Sequence, residues 1–120
     1  TGCPDRTPES IRGGEPLRPP VIEYPHTGAA VRGISVITGN VYKGSEPPGL
    51  SGLFVFGDYQ ANGKLFVADP SADGLWQTAV LPVGTDDAAK LGQLFSLYRH
   101  GEEFYVLGSG ADGGGVYRLD

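Results

Sequence analysis

The sequence predicts an all-β protein built from many short antiparallel strands. The 20 glycines and 10 prolines make up a quarter of the 120 residues, and the glycines recur between groups of aromatic and β-branched residues, without forming low-complexity tracts. Residues that favour helices are sparse, and only residues 85–94 carry enough Asp, Ala, Lys, Leu and Gln for one or two helical turns. This composition is typical of strands joined by tight turns.

The chain divides into an irregular lead-in and two strand-rich units. Residues 1–20 contain five prolines and three glycines and show no periodicity of either a strand or a helix. Residues 21–83 and 84–120 hold four and three strand-length apolar groups, respectively. These groups lie at residues 34–42, 53–56, 64–68, 75–81, 94–98, 103–107 and 116–119.

Three glycine-containing segments define the predicted connections. Asn62-Gly63 predicts a type I′ hairpin turn, because both central positions of that turn require a positive φ. His100-Gly101 predicts a turn of the same kind in the second unit. Gly113-Gly114-Gly115 lacks the following helix and Lys of a phosphate-binding loop, so we expect a flexible inter-strand loop there.

The two units resemble each other. The hairpin sequence beginning at Gly63 recurs at Gly101, an offset of 38 residues, and Asp73-Gly74 recurs at Asp112-Gly113, an offset of 39. A period of about 40 residues with three or four strands per unit is typical of β-propeller blades. The spacing alone is equally compatible with a lone antiparallel meander or a β-sandwich.

Charge and cysteine content narrow the possible partners. The formal net charge is −5 and no cluster of Lys or Arg occurs, which argues against a nucleic-acid partner. No apolar run approaches the roughly 20 residues that cross a bilayer, so we expect no membrane insertion. Cys3 has no second cysteine to pair with inside the chain, so it is either a free thiol or bonded to something outside.

Four segments form an ordered set along the chain: PVIEYPH at 20–26, GNVYKG at 39–44, LSGLFVFGDY at 50–59, and EEFYVL at 102–107 with GVYRL at 115–119. Each segment alone is a weak signal, but their order and spacing together resemble the C-terminal region of the soluble quinoprotein glucose/sorbosone dehydrogenases. This family also includes the propeller of hedgehog-interacting proteins, and the resemblance covers about residues 14–120.

The resemblance implies about two blades, of four and three strands, from the C-terminal end of a six-bladed propeller. In the family the central cavity holds pyrroloquinoline quinone (PQQ) and calcium, and sugars or small alcohols lose hydride to the quinone. The family's catalytic histidine lies in an earlier blade, so the resemblance implies no catalytic residue here, and the residues themselves predict no metal ligand. It also implies a secreted or periplasmic protein whose partners are the remaining blades.

Residue-by-residue comparison leaves few cofactor contacts. The quinone-contacting lysine of the family corresponds to Tyr59 or Gln60, and its paired arginines fall near Leu91 and Gln93. None of these residues has a guanidinium group, which binds a carboxylate through two parallel N–H donors and a positive charge. Tyr59 and Gln60 are therefore the candidate cofactor-binding residues that remain, and this departure favours a chain that does not bind the quinone by itself.

Tyr24 and His26 correspond to the substrate side of the family's cavity, which makes them the candidate substrate-rim residues. A histidine after Tyr-Pro is also commonly a structural hydrogen-bonding residue. Asp58 could bind calcium through its carboxylate oxygens, but no second carboxylate lies at loop-ligand spacing, so capping of the turn after its strand is the favoured interpretation. Tyr59 and Trp76 are expected to pack between blades.

Two functional hypotheses follow. The chain is the terminal part of a PQQ-dependent sugar dehydrogenase that contributes structure and a cavity rim, or it is a non-catalytic propeller-type binding module that has lost the quinone site. In either case the ends of a two-blade segment should expose apolar side chains. The expected residues are Val55, Phe66, Val67, Trp76, Phe95, Phe104, Val106 and Tyr117.

Overall fold

The computed structural model describes residues 14–16 and 18–120, and within them the chain forms two antiparallel sheets and one short helix. The first sheet has the order β1-β2-β3-β4 and the second has the order β5-β6-β7. This confirms the predicted all-β class and the division into four and three strands. The elements are β1 (Val36–Val41), β2 (Phe54–Asp58), β3 (Leu65–Ala68), β4 (Thr78–Leu81), α1 (Thr85–Leu91), β5 (Gln93–His100), β6 (Glu103–Gly110) and β7 (Gly113–Arg118).

The predicted Asn62-Gly63 turn is confirmed within a longer connection. Asn62 and Gly63 have φ values of 52° and 77°, and the N–H of Lys64 donates to the carbonyl of Ala61 over 3.2 Å. These are the features of a type I′ turn. The turn does not join β2 and β3 directly, because residues 59–64 all lie between the two strands.

The second predicted turn lies one residue later than expected. His100 pairs with Glu103, so Gly101 and Glu102 are the central residues. Of these two, only Gly101 has a positive φ, of 61°. A positive φ at the first central position alone is characteristic of a type II′ turn, which glycine accommodates without strain.

The prediction of a flexible loop at residues 113–115 is wrong. All three glycines belong to β7, where they pair with Gly110, Ser109 and Gly108 of β6. The partner strand is itself rich in glycine, so the pairing is made by backbone hydrogen bonds and needs few cross-strand side-chain contacts.

The two sheets pack face to face around one shared core. Strand residues of both sheets are fully or almost fully buried between them, as expected from the two-residue period of a strand. Burial of each such side chain contributes about 1.5–3 kcal/mol. This inter-sheet core contains Tyr42, Leu50, Val55, Leu65, Val67, Leu91, Leu94, Leu97, Phe104 and Val106.

The opposite face of the first sheet is covered by the segment that precedes β1. Phe56, Phe66 and Ala68 are buried there together with Val31 and Ala61. Ile22, Tyr24 and Trp76 pack against this second cluster. The first sheet is therefore covered on both faces.

The exposed apolar surface differs from the expected one. Val55, Phe66, Val67, Phe104 and Val106 are buried, so their prediction as exposed residues is wrong, because the inter-sheet core and the segment before β1 cover them. Phe95 is exposed as predicted, and Trp76 and Tyr117 are half-buried.

The outward face of the second sheet carries a different set of exposed side chains. Leu107 pairs with Val116 across β6 and β7, and Tyr98 pairs with Tyr105 across β5 and β6. Leu107, Val116 and Tyr98 are 40%, 68% and 61% exposed. We call this surface, defined by Tyr98, Leu107 and Val116, the open face.

Helix α1 connects the two sheets through close backbone contacts. A Cβ atom on Gly63 would clash with the carbonyl of Ala88, and a Cβ on Gly110 would clash with the carbonyl of Ala89. The N–H of Gly63 donates to the carbonyl of Gly92 over 2.7 Å, and the N–H of Ala111 donates to the carbonyl of Ala89 over 2.9 Å. The helix and its C-cap therefore contact the β2–β3 connection and the second sheet at once.

Among the described residues, no helix has both the length and the apolar character required to cross a membrane.

We predict that Gly63→Val destabilises the fold more than Gly74→Val. Both glycines have a positive φ, of 77° and 80°, and each substitution costs about 1–3 kcal/mol in backbone strain. Only Gly63 also lies against the backbone of α1, whereas nothing lies within 4 Å of a Cβ on Gly74. Thermal and urea unfolding measure the difference. Equal losses of stability in the two variants would contradict the contact with α1.

Candidate functional site

Two neighbouring cavities lie along the segment that precedes β1. The larger one, which we call the aromatic groove, has a volume of about 450 Å³. Its wall combines the segment before β1 with side chains of β1 and β2. It is lined by Val21, Ile22, Glu23, Tyr24, His26, Gly33, Ile34, Val36, Thr38, Phe54 and Phe56.

The smaller cavity, which we call the cationic pocket, has a volume of about 160 Å³. It lies between the segment before β1 and the β2–β3 connection. Its lining is mainly polar and includes the basic residues Arg32 and Lys64 and the amide-bearing residues Gln60 and Asn62. It is lined by His26, Ala30, Arg32, Gly33, Ile34, Gln60, Ala61, Asn62, Lys64 and Phe66.

His26, Gly33 and Ile34 line both cavities. The aromatic groove and the cationic pocket are therefore adjacent, and His26 lies at their boundary. A ligand that contacts His26 has access to aromatic side chains on one side and to cations on the other.

The structure brings three of the four predicted site residues together. Tyr24 and His26 line the aromatic groove, and Gln60 lines the cationic pocket beside His26. Tyr59 lies elsewhere, because its ring packs edge-on against Phe95 of the second sheet, with ring centroids 5.6 Å apart and an interplanar angle of 74°. This contact agrees with the packing role considered for Tyr59.

Asp58 is the buried polar residue that fixes the position of Tyr24. Its side chain is fully buried. Its Oδ2 accepts hydrogen bonds from the Tyr24 hydroxyl over 2.9 Å and from the Ser35 N–H over 2.8 Å. Its Oδ1 accepts a hydrogen bond from the Gln60 N–H over 2.9 Å. One carboxylate thus connects the end of β2 to both segments that form the cavities.

The hydrogen bonds of Asp58 determine its ionisation. Burial raises the pKa of the carboxyl, but the Gln60 and Ser35 N–H groups, the Tyr24 hydroxyl and the Ile34 N–H together outweigh burial and lower the pKa below its usual range. Burial and the hydrogen bond to Asp58 raise the pKa of Tyr24 well above its usual range. Asp58 is therefore a carboxylate, and Tyr24 is a neutral hydrogen-bond donor.

Gly33 allows this arrangement to form. A Cβ atom on Gly33 would clash with the carboxylate of Asp58, so any other residue would displace the segment before β1. The Gly33 N–H also donates to the carbonyl of Pro25 over 3.2 Å, which closes the loop that carries His26.

Sequence patterns identify only part of this network. The bond from the Gln60 N–H to Asp58 is the local turn-capping contact that was expected for an aspartate after a strand. The partners Tyr24 and Ser35 lie 34 and 23 residues away along the chain, and no local pattern indicates them. Arg32, Lys64 and Gly33 were also missed, because isolated cations and glycines are common in loops.

The positions at which the sequence resemblance predicts quinone contacts do not fit that cofactor. Leu91 is buried in the inter-sheet core, and Gln93 carries no charge. Neither side chain can form an ion pair with the carboxylates of PQQ. Within the described part of the chain there is also no group of three His, Cys, Asp or Glu residues that could hold a metal ion.

A third cavity, of about 310 Å³, lies beside the start of α1 and the end of β7. It is lined by Leu65, Val83, Leu91, Val106 and Tyr117 together with residues of the chain end such as Asp120. None of the sequence-predicted site residues lines it.

The sequence matches no known protein-family profile, and no solved structure matches the chain at a significant level.

We predict that Asp58→Asn lowers the free energy of unfolding by about 2 kcal/mol at neutral pH, because an amide cannot accept all of these hydrogen bonds. Asp69→Asn is the matched control, since Asp69 also accepts a bond from the N–H two residues later, over 2.9 Å, but is exposed. We expect little change in the control. Urea unfolding of both variants tests this.

The pH dependence gives a second readout. A carboxyl whose pKa is lower in the folded state contributes stability above the unfolded pKa of about 3.9 and loses it as the pH falls through the folded pKa. The difference in stability between the wild-type chain and Asp58→Asn should therefore narrow below about pH 4. A difference that stays constant down to acid unfolding would contradict the ionised assignment of Asp58.

Proposed function

We propose that the chain forms two neighbouring blades of a β-propeller of the quinoprotein sugar dehydrogenase type, and that Tyr24 and His26 form part of its substrate rim. The observation that carries this proposal is the packing of the two sheets. A four-stranded antiparallel sheet is covered on both faces, and a three-stranded one packs against it through the inter-sheet core. Blades of a propeller bury their faces against each other in this way.

The arrangement of the strands supports the same proposal. β5 is the strand of the second sheet that packs most extensively against β1. If β1 and β5 are the innermost strands of adjacent blades, β4 and β7 are the outer ones. Within residues 14–16 and 18–120 the second sheet then has no fourth strand next to β7, and another part of the ring would supply it.

The aromatic groove suits a sugar or a small alcohol. Tyr24 lies about 6.2 Å from both Phe56 and Phe66, measured between ring centroids, so its ring is held by packing as well as by Asp58. Ligand pockets combine apolar and aromatic walls with a few polar groups that fix orientation. His26 supplies such a polar group at the edge of the groove.

The chain provides structure and a rim, and other blades would provide the reaction. When bound, PQQ would accept the hydride of the substrate, and calcium would hold and polarise the quinone. Because Leu91 and Gln93 offer no cation to the quinone, we assign the cofactor contacts and the catalytic base to segments outside these 120 residues.

The second candidate function is a non-catalytic propeller-type binding module, in which the rim binds a ligand without oxidising it. The burial of Leu91 and the contact of Tyr59 with Phe95 favour this alternative, because neither side chain is then available to contact a quinone. The two candidates share the fold and the aromatic groove. They differ in whether the complete protein binds PQQ.

We predict that the 120-residue chain reduces no redox dye with any aldose, even when PQQ and calcium are added. The longer protein that contains it should reduce dye with aldoses. His26→Ala should raise the KM of the longer protein, and the expected change is about tenfold for one lost hydrogen bond to a ligand. His100→Ala is the matched control, because His100 is the second of the two histidines and lies at the end of β5.

Three outcomes would contradict parts of this proposal. Turnover by the isolated chain would show that it contains a catalytic site. A longer protein with no activity and no change in quinone absorbance would favour the binding module. Equal effects of His26→Ala and His100→Ala would remove His26 from the rim.

We predict that the isolated chain self-associates through the open face or is only marginally folded, because Leu107 and Val116 expose apolar surface next to the edge of β7 that pairs with no other strand among the described residues. Joint Leu107→Gln and Val116→Gln changes should reduce the association measured by sedimentation velocity. Leu75→Gln is the control, since Leu75 is 51% exposed and lies outside the open face. A monomer at high concentration with one cooperative unfolding transition would instead indicate a self-contained β-sandwich.

A further inference from the structure

The distribution of charge around the candidate site is uneven. The chain has 14 acidic and nine basic residues, yet the cationic pocket is lined by Arg32 and Lys64 and by no Asp or Glu among the described residues. Within that part of the chain, neither cation forms an ion pair, whereas Lys90 and Arg118 do. Two cationic residues therefore line one small cavity in an otherwise acidic protein.

The donors in this pocket are available to a ligand. Arg32 donates from one Nη atom to the carbonyl of Ala29 over 2.8 Å, which orients the guanidinium and leaves its other N–H groups free in the described structure. Lys64, Gln60 and Asn62 line the same cavity, and all three residues are exposed. Guanidinium, ammonium and amide N–H groups are the donors that bind carboxylate and phosphate oxygens.

The cavity size fits a small group. A volume of about 160 Å³ is below the range of roughly 300–1,000 Å³ for pockets that hold a whole drug-sized ligand. The aromatic groove, at about 450 Å³, lies within that range. One ligand can thus place its main ring in the aromatic groove and a substituent in the cationic pocket. Such a ligand would contact His26, which lines both cavities.

The buried carboxylate of Asp58 lies behind Gly33 and would repel an anion. However, both of its oxygens already accept hydrogen bonds from Tyr24, Ser35 and Gln60. These donors compensate much of its charge locally. The two positive charges of residues that line the cavity then outweigh the one negative charge of a buried carboxylate behind its wall.

We propose that the site prefers anionic sugars: the sugar ring lies in the aromatic groove beside Tyr24, and a carboxylate or phosphate group lies between Arg32 and Lys64. This inference rests on the proposed sugar-binding rim and specifies its ligand class. A neutral sugar would leave both cations without a partner, so the preference comes from the cationic pocket and not from the groove.

The test is a titration of the ¹⁵N-labelled chain followed by amide chemical shifts, with glucose, glucuronate, glucose 6-phosphate and inorganic phosphate as the probes. If the wild-type chain self-associates, the titration uses the variant with Leu107→Gln and Val116→Gln instead. Both substitutions leave the net charge unchanged and lie in the second sheet, away from the two cavities. Shifts at Gly33 and at residues 60–64 would report on the pocket. The comparison of glucuronate with glucose 6-phosphate shows which oxyanion is preferred.

We expect at least one anionic sugar to bind about tenfold more tightly than glucose, with the advantage reduced at high salt. Arg32→Gln and Lys64→Gln should each lower the affinity for the anionic sugar by about three- to tenfold. Neither substitution should change the affinity for glucose. Lys43→Gln is the matched control, since Lys43 is an exposed cation that lines neither cavity. It should change neither affinity.

Several results would overturn the inference. Inorganic phosphate that binds as tightly as glucose 6-phosphate would indicate a site for an adventitious ion only. Equal losses of affinity for the anionic sugar in Lys43→Gln and Lys64→Gln would indicate general electrostatic attraction to the protein. If Arg32→Gln and Lys64→Gln lowered the melting temperature without changing the affinity, the two cations would only compensate the negative charge of Asp58.

The failure of this inference is distinguishable from failure of the proposed function. Binding of glucose at Tyr24 with no preference for anionic sugars overturns the inference and leaves the proposed rim intact. A preference for anionic sugars, in a chain whose longer protein binds no PQQ and reduces no dye, overturns the dehydrogenase proposal and leaves the inference intact.

Discussion

The close approach of the α1 backbone to Gly63 in the β2–β3 connection and to Gly110 in β6 is the constraint on which the rest of the structure depends. Gly63 and Gly110 lie so near the carbonyls of Ala88 and Ala89 that neither position has room for a side chain. Two hydrogen bonds, from the N–H groups of Gly63 and Ala111, accompany these contacts. A seven-residue helix is unstable alone, so its structure depends on these contacts and on the burial of Leu91 in the inter-sheet core.

The same contact determines the geometry of the candidate site. Gly63 belongs to the connection that supplies Gln60, Asn62 and Lys64 to the cationic pocket, so α1 fixes one wall of that pocket. The other wall depends on Asp58, which holds Tyr24 and Ser35 at the end of β2. The cationic pocket therefore lies between two segments that have no regular secondary structure. The segment before β1 is held by Asp58 and by the hydrogen bond from the N–H of Trp76 to the carbonyl of Val21, and the β2–β3 connection is held by its contact with α1.

Local sequence patterns predicted the strands well because alternation and turn chemistry act over few residues. The division into four and three strands and the positive φ values at Asn62 and Gly63 are examples. Patterns failed where packing over long sequence distances decides the outcome. Residues 113–115 form a strand because β6 offers glycines to pair with, and Phe66 is buried because a segment more than 30 residues earlier covers it. Tyr24 and His26 were predicted by resemblance, whereas Arg32 and Lys64 needed the folded structure.

Amide hydrogen exchange at Gly63 and Ala111 tests the central role of α1 most directly, because these two N–H groups bond to Gly92 and Ala89 at the end of the helix. If α1 joins the sheets, both amides should exchange as slowly as those of β2 and β6, and Gly108→Ala, which would clash with the carbonyl of Leu91, should speed both together. Exchange of both amides as fast as at the exposed Gly74 would contradict the account, since the sheets would then be joined without the helix.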